Sequence, residues 1–198
     1  MSCNNKDLYS SLGWCQGETV IPGIRQRVYF IPKRNIVKWP TLPATAETAE
    51  DLATYEGSFL LAAEKKWLYL DVLSDKSPVT SETQGEIPSV TTLNKATFKH
   101  PGVKKAVTAF ARQANNDDMV YLIQTKTGEF RVLGNEMFNT LTKVSTAIGG
   151  AVTEEAGTTL EIEVSDVCPA PFYTGKIETE DGEIDASDGS TTTPEVGG

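Results

Sequence analysis

The sequence of 198 residues has little of what most metal and thiol-based sites require. It has one histidine, His100, and three cysteines, Cys3, Cys15 and Cys168, with no Cys-x-x-Cys spacing. Neither a zinc site nor a disulfide framework is therefore predicted. We expect free thiols, although Cys3 and Cys15 could pair if the fold brought them together.

Long apolar runs are also absent. No stretch approaches the roughly 20 apolar residues that cross a bilayer. Residues 1–7 lack the basic region followed by an apolar run that is typical of a signal peptide. We therefore expect no membrane insertion and synthesis in a cytoplasm.

The sequence contains no recognisable catalytic motif. GxGxxG, GxxxxGK[ST] and GxSxG are all missing. A pairing of His100 with Asp117 or Asp118 is disfavoured, because the predicted helix between them separates the two ends by about 20 Å. The acidic run from Asn115 to Asp118 lacks the spacing of an EF-hand, so a turn is favoured over a calcium loop. We predict that the protein is not an enzyme and has no catalytic residue, metal site or cofactor.

Negative charge is concentrated at the C-terminal end. The net charge is −9, and residues 176–198 contain seven acids and one base, which leaves −3 for residues 1–175. The absence of a basic stripe argues against tight binding of nucleic acid. The Gly, Asp, Glu, Ser and Thr content of residues 176–198 predicts a flexible acidic tail.

Strand patterns occur along most of the remaining chain. Across residues 158–164, Leu160, Ile162 and Val164 alternate with polar residues, which predicts a strand with one buried face. Further β-rich runs cover residues 27–31, 67–73, 119–125 and 129–133. Gly128 lies between the last two, as expected for a hairpin turn.

One segment has a helical period. In residues 101–115 the apolar positions recur at three- and four-residue intervals, at Val103, Ala106, Val107, Phe110, Ala111 and Ala114. Together these patterns predict a mainly β fold, a β-sandwich or open barrel flanked by one amphipathic helix. Residues 1–175 are expected to form a single domain.

Two loops interrupt the predicted strands, at about residues 40–51 and 74–90. The second is long for a loop in a compact domain, and such lengths are typical of functional arms or mobile hairpins. A disordered surface loop is the alternative. If this arm contacts another subunit, the candidate interface residues are Ser77, Pro78, Val79, Thr80, Glu82, Gln84, Gly85, Ile87 and Val90.

The three tryptophans suggest a different class of function. Trp67 opens an apolar strand and is expected in the core, whereas Trp14 and Trp39 could form a surface that stacks on sugars. A monomeric carbohydrate-binding module is therefore an alternative hypothesis.

The second half of the chain resembles tail-tube-like virion proteins of tailed bacteriophages, in particular those that infect Bacteroidetes. The resemblance covers about residues 90–175. It rests on the order of these segments: Thr97-Phe98, the predicted helix at 101–115, Arg131-Val132-Leu133-Gly134, residues 142–150, residues 154–162, and Pro169-Ala170-Pro171-Phe172-Tyr173.

The resemblance implies a structural subunit that self-assembles into stacked, hexameric rings. It implies a location in the virion tail, contacts with other tail or neck proteins, and a conduit through which DNA passes without stable binding. Arms would reach neighbouring subunits, and ring closure would cover exposed strand edges. A head-decoration or head–tail connector protein of the same virion is the nearest alternative.

Overall fold

The computed structural model describes residues 7–43, 45–151 and 153–192. Its one described α-helix, α1, spans Lys105–Ala114, and short 3₁₀ turns lie at Lys33–Asn35, Asp51–Ala53 and Ser74–Lys76. The strands are β1 (Ile24–Pro32), β2 (Ile36–Lys38), β3 (Thr54–Tyr55), β4 (Leu60–Leu61), β5 (Leu68–Asp71), β6 (Val79–Gln84), β7 (Thr91–Pro101), β8 (Met119–Thr125), β9 (Phe130–Leu133), β10 (Leu141–Ala147), β11 (Gly157–Asp166), β12 (Phe172–Tyr173), β13 (Lys176–Thr179), β14 (Gly182–Asp185) and β15 (Thr191–Thr192).

These strands form several sheets, which confirms the prediction of a mainly β protein with a helix. A central six-stranded sheet has the order β3-β12-β9-β8-β1-β5, and a four-stranded sheet has the order β10-β11-β7-β6. Strands β13, β14 and β15 form a C-terminal sheet, and β2 pairs with β4.

The inner strands of the central sheet are buried on both faces, as the middle of β8 illustrates. Tyr121 and Ile123 point into a core shared with the four-stranded sheet. Val120 and Leu122 point the other way, into a second core shared with the C-terminal sheet. Because neither face meets water, β8 is a continuous apolar run rather than an alternating one.

The first core lies between the central and four-stranded sheets. Val28 from the central sheet and Phe98, Leu160 and Ile162 from the four-stranded sheet are all essentially inaccessible to solvent. Helix α1 packs against the same core through Phe110, whose ring lies edge-on to Phe30 at a centroid distance of 5.0 Å. The helix therefore buries one face and leaves the other in water.

Two of the local predictions are confirmed. Strands β8 and β9 pair antiparallel around a turn in which Gly128 has a φ of +110°. In β11 the three predicted apolar side chains are buried while Glu161 and Glu163 are exposed. The two-residue period was therefore sufficient to assign the faces of this strand.

The predicted helix at 101–115 is correct in place but too long at its start. Pro101 is the last residue of β7, where it pairs with Gly157 of β11, and α1 begins only at Lys105. Residues of β7 alternate between buried and half-buried up to Lys99, and the strand continues to Pro101, where the helix was expected to begin. His100 accordingly belongs to strand β7, directly before Pro101.

The prediction of a flexible tail from residue 176 is wrong for the described residues 176–192. Strands β13 and β14 pair in register, from Lys176 opposite Asp185 to Thr179 opposite Gly182. The acidic side chains face water while Ile177 and Ile184 enter the second core. The segment is polar in composition, but its apolar residues Ile177 and Ile184 lie on the same face of the sheet. Residues 193–198 lie outside the described residues.

The two predicted arms differ in structure. Residues 40–51, of which Ala44 lies outside the described residues, are largely bends and turns, with an isolated bridge between Thr41 and Glu56. Residues 74–90 contain a full strand, β6, which pairs with β7 along its whole length. The disordered-loop alternative is therefore wrong for residues 79–84.

Candidate functional site

The predicted arm forms the outer edge of the four-stranded sheet. Strand β6 pairs with β7 on one side, and no described strand pairs with it on the other. The N–H of Thr97 donates to the carbonyl oxygen of Pro78 at 3.0 Å. Along two antiparallel strands, residue pairs that share hydrogen bonds alternate with pairs that do not. Because Pro78 and Thr97 share a hydrogen bond, the peptide groups of Val79, Ser81 and Thr83 point away from β7. This row of peptide groups is a ready template for another strand.

The start of β6 is fixed to the body of the protein. Ser77 is only 3% exposed. Its hydroxyl donates to the carbonyl oxygen of Leu73 at 2.8 Å and accepts from the N–H of Lys99 at 3.2 Å. Val79 packs against the first core. Ser77 was predicted as an interface residue, but its side chain is not accessible to a neighbour. It anchors the edge instead.

The remaining predicted side chains of β6 lie on the outer, polar face of the sheet. Thr80 and Glu82 are exposed, and Glu82 forms an ion pair with Lys95 at 2.8 Å. The Gln84 amide donates to the hydroxyls of Thr91 at 3.2 Å and Ser165 at 2.9 Å. These bonds tie the edge strand to β7 and β11, so its free edge is held in a fixed orientation.

Beyond β6 the chain turns at a tip that displays apolar side chains. Gly85 has a φ of +86°, and a Cβ there would lie 2.8 Å from the carbonyl oxygen of Ser89, so only glycine fits this turn. Ile87 is 91% exposed and Val90 is 45% exposed. Pro78, at the other end of the segment, is also exposed.

The opposite edge of the same sheet is covered by residues that follow α1. The Asn115 side-chain oxygen accepts from the N–H of Val144 in β10 at 2.8 Å. The Asp118 carboxylate accepts from the N–H of Thr140 at 2.9 Å, just before the strand. These side chains occupy donors that another strand would need. Of the two edges, β6 is therefore the more accessible.

Residues 7–23 form a second exposed segment, in which the sequence patterns had singled out only Trp14 and Cys15. No described residue in this range belongs to a strand or helix. It nevertheless carries five exposed large apolar side chains: Tyr9, Leu12, Trp14, Val20 and Ile21. Their spacing fits neither a strand nor a helix, so a search for periodicity overlooks them. A count of large apolar residues that ignores their spacing would have identified this segment.

The hypothetical catalytic histidine is not paired with an acid. His100 Nδ1 lies 2.7 Å from the carbonyl oxygen of Asp71. Asp118 forms an ion pair with Lys33 at 3.3 Å, and Asp117 pairs with Arg34. The aspartates therefore belong to a structural contact between the 3₁₀ turn at Lys33–Asn35 and the residues that follow α1.

Cys168 does not have the environment of a nucleophile. It is buried, and burial raises the pKa of its thiol, which favours the unreactive protonated form.

The described residues contain no group of three or more His, Cys, Asp and Glu side chains that could hold a metal ion. In the same part of the chain, no helix is long and apolar enough to cross a membrane.

The tryptophans do not form one surface. Trp39 and Trp67 both contact Phe59, at centroid distances of 5.4 and 5.3 Å, and Trp67 is fully buried as predicted. Trp14 is exposed, and among the described residues no other aromatic ring contacts it. The pair in the second core thus serves packing rather than a sugar platform.

Comparison of the chain with protein-family models, with curated proteins and with solved structures gives no significant match.

Proposed function

We propose that this protein is a virion structural subunit, of the tail-tube or a related tail type, and that it works by assembling with copies of itself. The observation that carries the proposal is the uncovered edge of β6, with outward peptide groups at Val79, Ser81 and Thr83. An edge of this length is a liability in a permanent monomer, and a neighbouring subunit that pairs with it removes the liability.

Two further features, both exposed and apolar, favour an intermolecular contact over a solvated edge. Ile87 and Val90 at the tip are exposed, and so are the apolar side chains of residues 7–23. Burial of apolar surface is the main driving force of most protein association. A second copy that covers the edge and the tip would combine backbone pairing with apolar burial, and residues 7–23 offer further apolar surface to a neighbour.

The outer face of the four-stranded sheet suits a wall along which DNA passes. Its charged side chains alternate in sign across β6, β7, β11 and β10. The lysines are Lys95, Lys99 and Lys143, and the glutamates are Glu82, Glu161 and Glu163. Such a face carries no excess of positive charge. It would therefore not hold phosphates, whose binding requires neutralisation by lysine or arginine.

The fold that this function implies is a sandwich of the four-stranded and central sheets with α1 at one side. In a ring, the polar outer face would turn toward the axis, because the rest of the protein lies behind the other face. Labelling of virions with an antibody distinguishes the tail tube from a head-decoration or connector protein. Label on the tail shaft supports the proposal, and label on the capsid contradicts it.

The edge itself is tested by Thr83→Pro. Proline removes the outward N–H of Thr83 and leaves the bonds between β6 and β7 intact, and edge strands tolerate proline at such positions. Thr83→Ala keeps the N–H and is the matched control. Light scattering on a sizing column, with negative-stain images of the same fractions, should show rings or tubes for wild type and Thr83→Ala. Thr83→Pro should remain dissociated, and equal assembly of all three proteins would contradict the proposal.

A further inference from the structure

The exposed side of α1 is basic although the protein is acidic. Lys105 and Arg112 lie seven residues apart, hence on one face of the helix, and Lys104 directly precedes it. All three side chains are exposed. None of them forms an ion pair within the described residues.

The helix disfavours two of these cations, Lys104 and Lys105 at its start, whereas Arg112 lies in the last turn, where the helix dipole favours positive charge. The N-terminal end of a helix carries partial positive charge, and lysine there is unfavourable. Lys104 is the N-cap residue and makes no side-chain capping bond. An acidic or small polar residue would stabilise this helix better. The two lysines at the helix start therefore cost stability that some other interaction would offset.

The outer face of the C-terminal sheet has the opposite charge. It carries Glu178 and Glu183 on paired strands, with Glu180 at the turn between them. Lys176 neutralises Glu183 at 2.6 Å, but Glu178 and Glu180 form no ion pair among the described residues. A concavity of about 330 Å³ lies on this face, lined by Lys66, Glu178, Thr179, Gly182, Glu183 and Thr192.

The two charged faces cannot meet within one molecule. Helix α1 packs on the first core through Phe110, and the C-terminal sheet packs on the second core through Ile177 and Ile184. The central sheet lies between these cores. A contact between two such different faces of identical chains is head-to-tail, and it can repeat without limit.

We propose that the basic face of α1 in one copy docks on the acidic face of the C-terminal sheet in a second copy. The complementary faces are on the same chain, so each copy brings one of each, which favours another copy over a different partner. Nucleic acid fits the basic face poorly, because a chain with net charge −9 repels phosphate. This inference rests on the proposed function, in which it supplies the contact that joins one ring to the next.

Charge exchange tests the docking directly. Lys105→Glu/Arg112→Glu replaces two of the three cations by acids that would face Glu178 and Glu180, and Glu178→Lys/Glu180→Lys creates the converse mismatch. Each double variant should associate about tenfold or more weakly than wild type at low salt. The chain with all four substitutions has the two charges exchanged and should recover association. Arg25→Glu/Lys38→Glu changes the net charge as much as the helix variant does, at exposed residues outside the patch, and should associate like wild type.

Light scattering and sedimentation between 50 and 500 mM salt provide the measurement. Wild type and the fourfold variant should lose association as salt rises, since screening weakens exposed charge pairs. The inference is overturned if the fourfold variant associates no better than its parents, if the control falls equally, or if wild type is monomeric at low salt.

Thr83→Pro separates this inference from the proposed edge pairing. Loss of rings in Thr83→Pro with no response to the charge exchanges would retain the edge and reject the docking. Salt-sensitive chains that respond to the exchanges, but are indifferent to Thr83→Pro, would retain the docking and reject the edge.

Discussion

The two ends of the described chain behave in opposite ways. Residues 176–192 are rich in acids and yet form a sheet, whereas residues 7–23 carry five large apolar side chains and form no regular structure. In β13, Ile177 and Thr179 face the core while Lys176 and Glu178 face water. The comparison shows that the placement of apolar side chains, rather than their number, decides whether a chain end folds onto the body.

Backbone contacts reinforce this difference. The N–H of Trp67 donates to the carbonyl oxygen of Glu178 at 2.8 Å. The N–H of Ala186 donates to the carbonyl oxygen of Gly175 at 3.0 Å. Tyr173 donates its hydroxyl to the carbonyl oxygen of Lys176 at 2.8 Å. The C-terminal sheet is thus part of the folded core, and the apolar side chains of residues 7–23 remain available for contacts outside the chain.

The largest expected effect on stability comes from a substitution in the C-terminal sheet. Ile177 is fully buried in the second core, so Ile177→Ala should lower the free energy of unfolding by about 2–5 kcal/mol. Urea titration and thermal unfolding measure the change. Glu178→Ala, on the wet side of the same strand, is the control and should stay within about 0.5 kcal/mol of wild type. Equal effects of the two substitutions would show that the sheet is not packed on the core.

The junction before the C-terminal sheet should be nearly as sensitive. A Cβ at Gly175 would lie 2.6 Å from both the carbonyl oxygen of Gly57 and the Tyr173 hydroxyl. Gly175→Ala should therefore destabilise the protein by about 2 kcal/mol. Gly13→Ala, where a Cβ meets nothing within 4 Å, should not. Thermal unfolding of both variants checks this, and unchanged stability of Gly175→Ala would contradict the close packing.

A buried acid in the body sharpens the contrast with the wet acids of the C-terminal sheet. Asp166 is 1% exposed, and its Oδ2 has no hydrogen-bond partner. Burial raises the pKa of Asp166 above its ordinary value, although the N–H of Val167 partly offsets this by donating to Oδ1 at 2.7 Å. Because the folded pKa exceeds the unfolded one, the stability that Asp166 contributes is present in acid and lost as pH rises through the folded pKa.

Asp166→Asn should remove that loss. The variant should match wild type below about pH 4 and exceed it by about 1 kcal/mol at neutral pH. Thermal unfolding of both proteins from pH 3.5 to 7.5 measures the difference. A difference that does not vary with pH would show that Asp166 is not the titrating group.

The smallest effect on stability is expected at the other end. Leu12→Ser/Val20→Ser should change the free energy of unfolding by less than about 0.5 kcal/mol, because both side chains are already exposed. The same variant should assemble less well than wild type if this segment contacts a neighbour. A large loss of stability in the monomer would contradict the view that these side chains contribute nothing to the monomer fold.

The strands and the helix could be predicted where one periodicity governs the segment. The period of two in Leu160, Ile162 and Val164 and the apolar spacing of α1 identified both elements. The boundary at Pro101 could not be predicted, because β7 is extended by pairing with Gly157, a residue distant in sequence. The C-terminal sheet was missed since its polar composition hid the alternation of Ile177 with Lys176 and Glu178.

The location of the candidate edge could also be predicted, but not its form. Loop length singled out residues 74–90, yet the assignment of individual side chains required the register between β6 and β7. That register buries Ser77 beside Leu73 and directs the peptide groups of Ser81 and Thr83 outward. Periodicity in a single chain cannot indicate which of the two sheet edges is covered, because the cover on β10 comes from Asn115 and Asp118.

Hydrogen exchange of the β6 amides tests the central claim most directly. In the dissociated protein, the amides of Thr80 and Glu82 bond to β7 and should exchange slowly, while those of Ser81 and Thr83 should exchange fast. On assembly, Ser81 and Thr83 should become as protected as their neighbours if a second copy pairs with the edge. Fast exchange at Ser81 and Thr83 in assembled protein would contradict the assignment of β6 as the assembly edge.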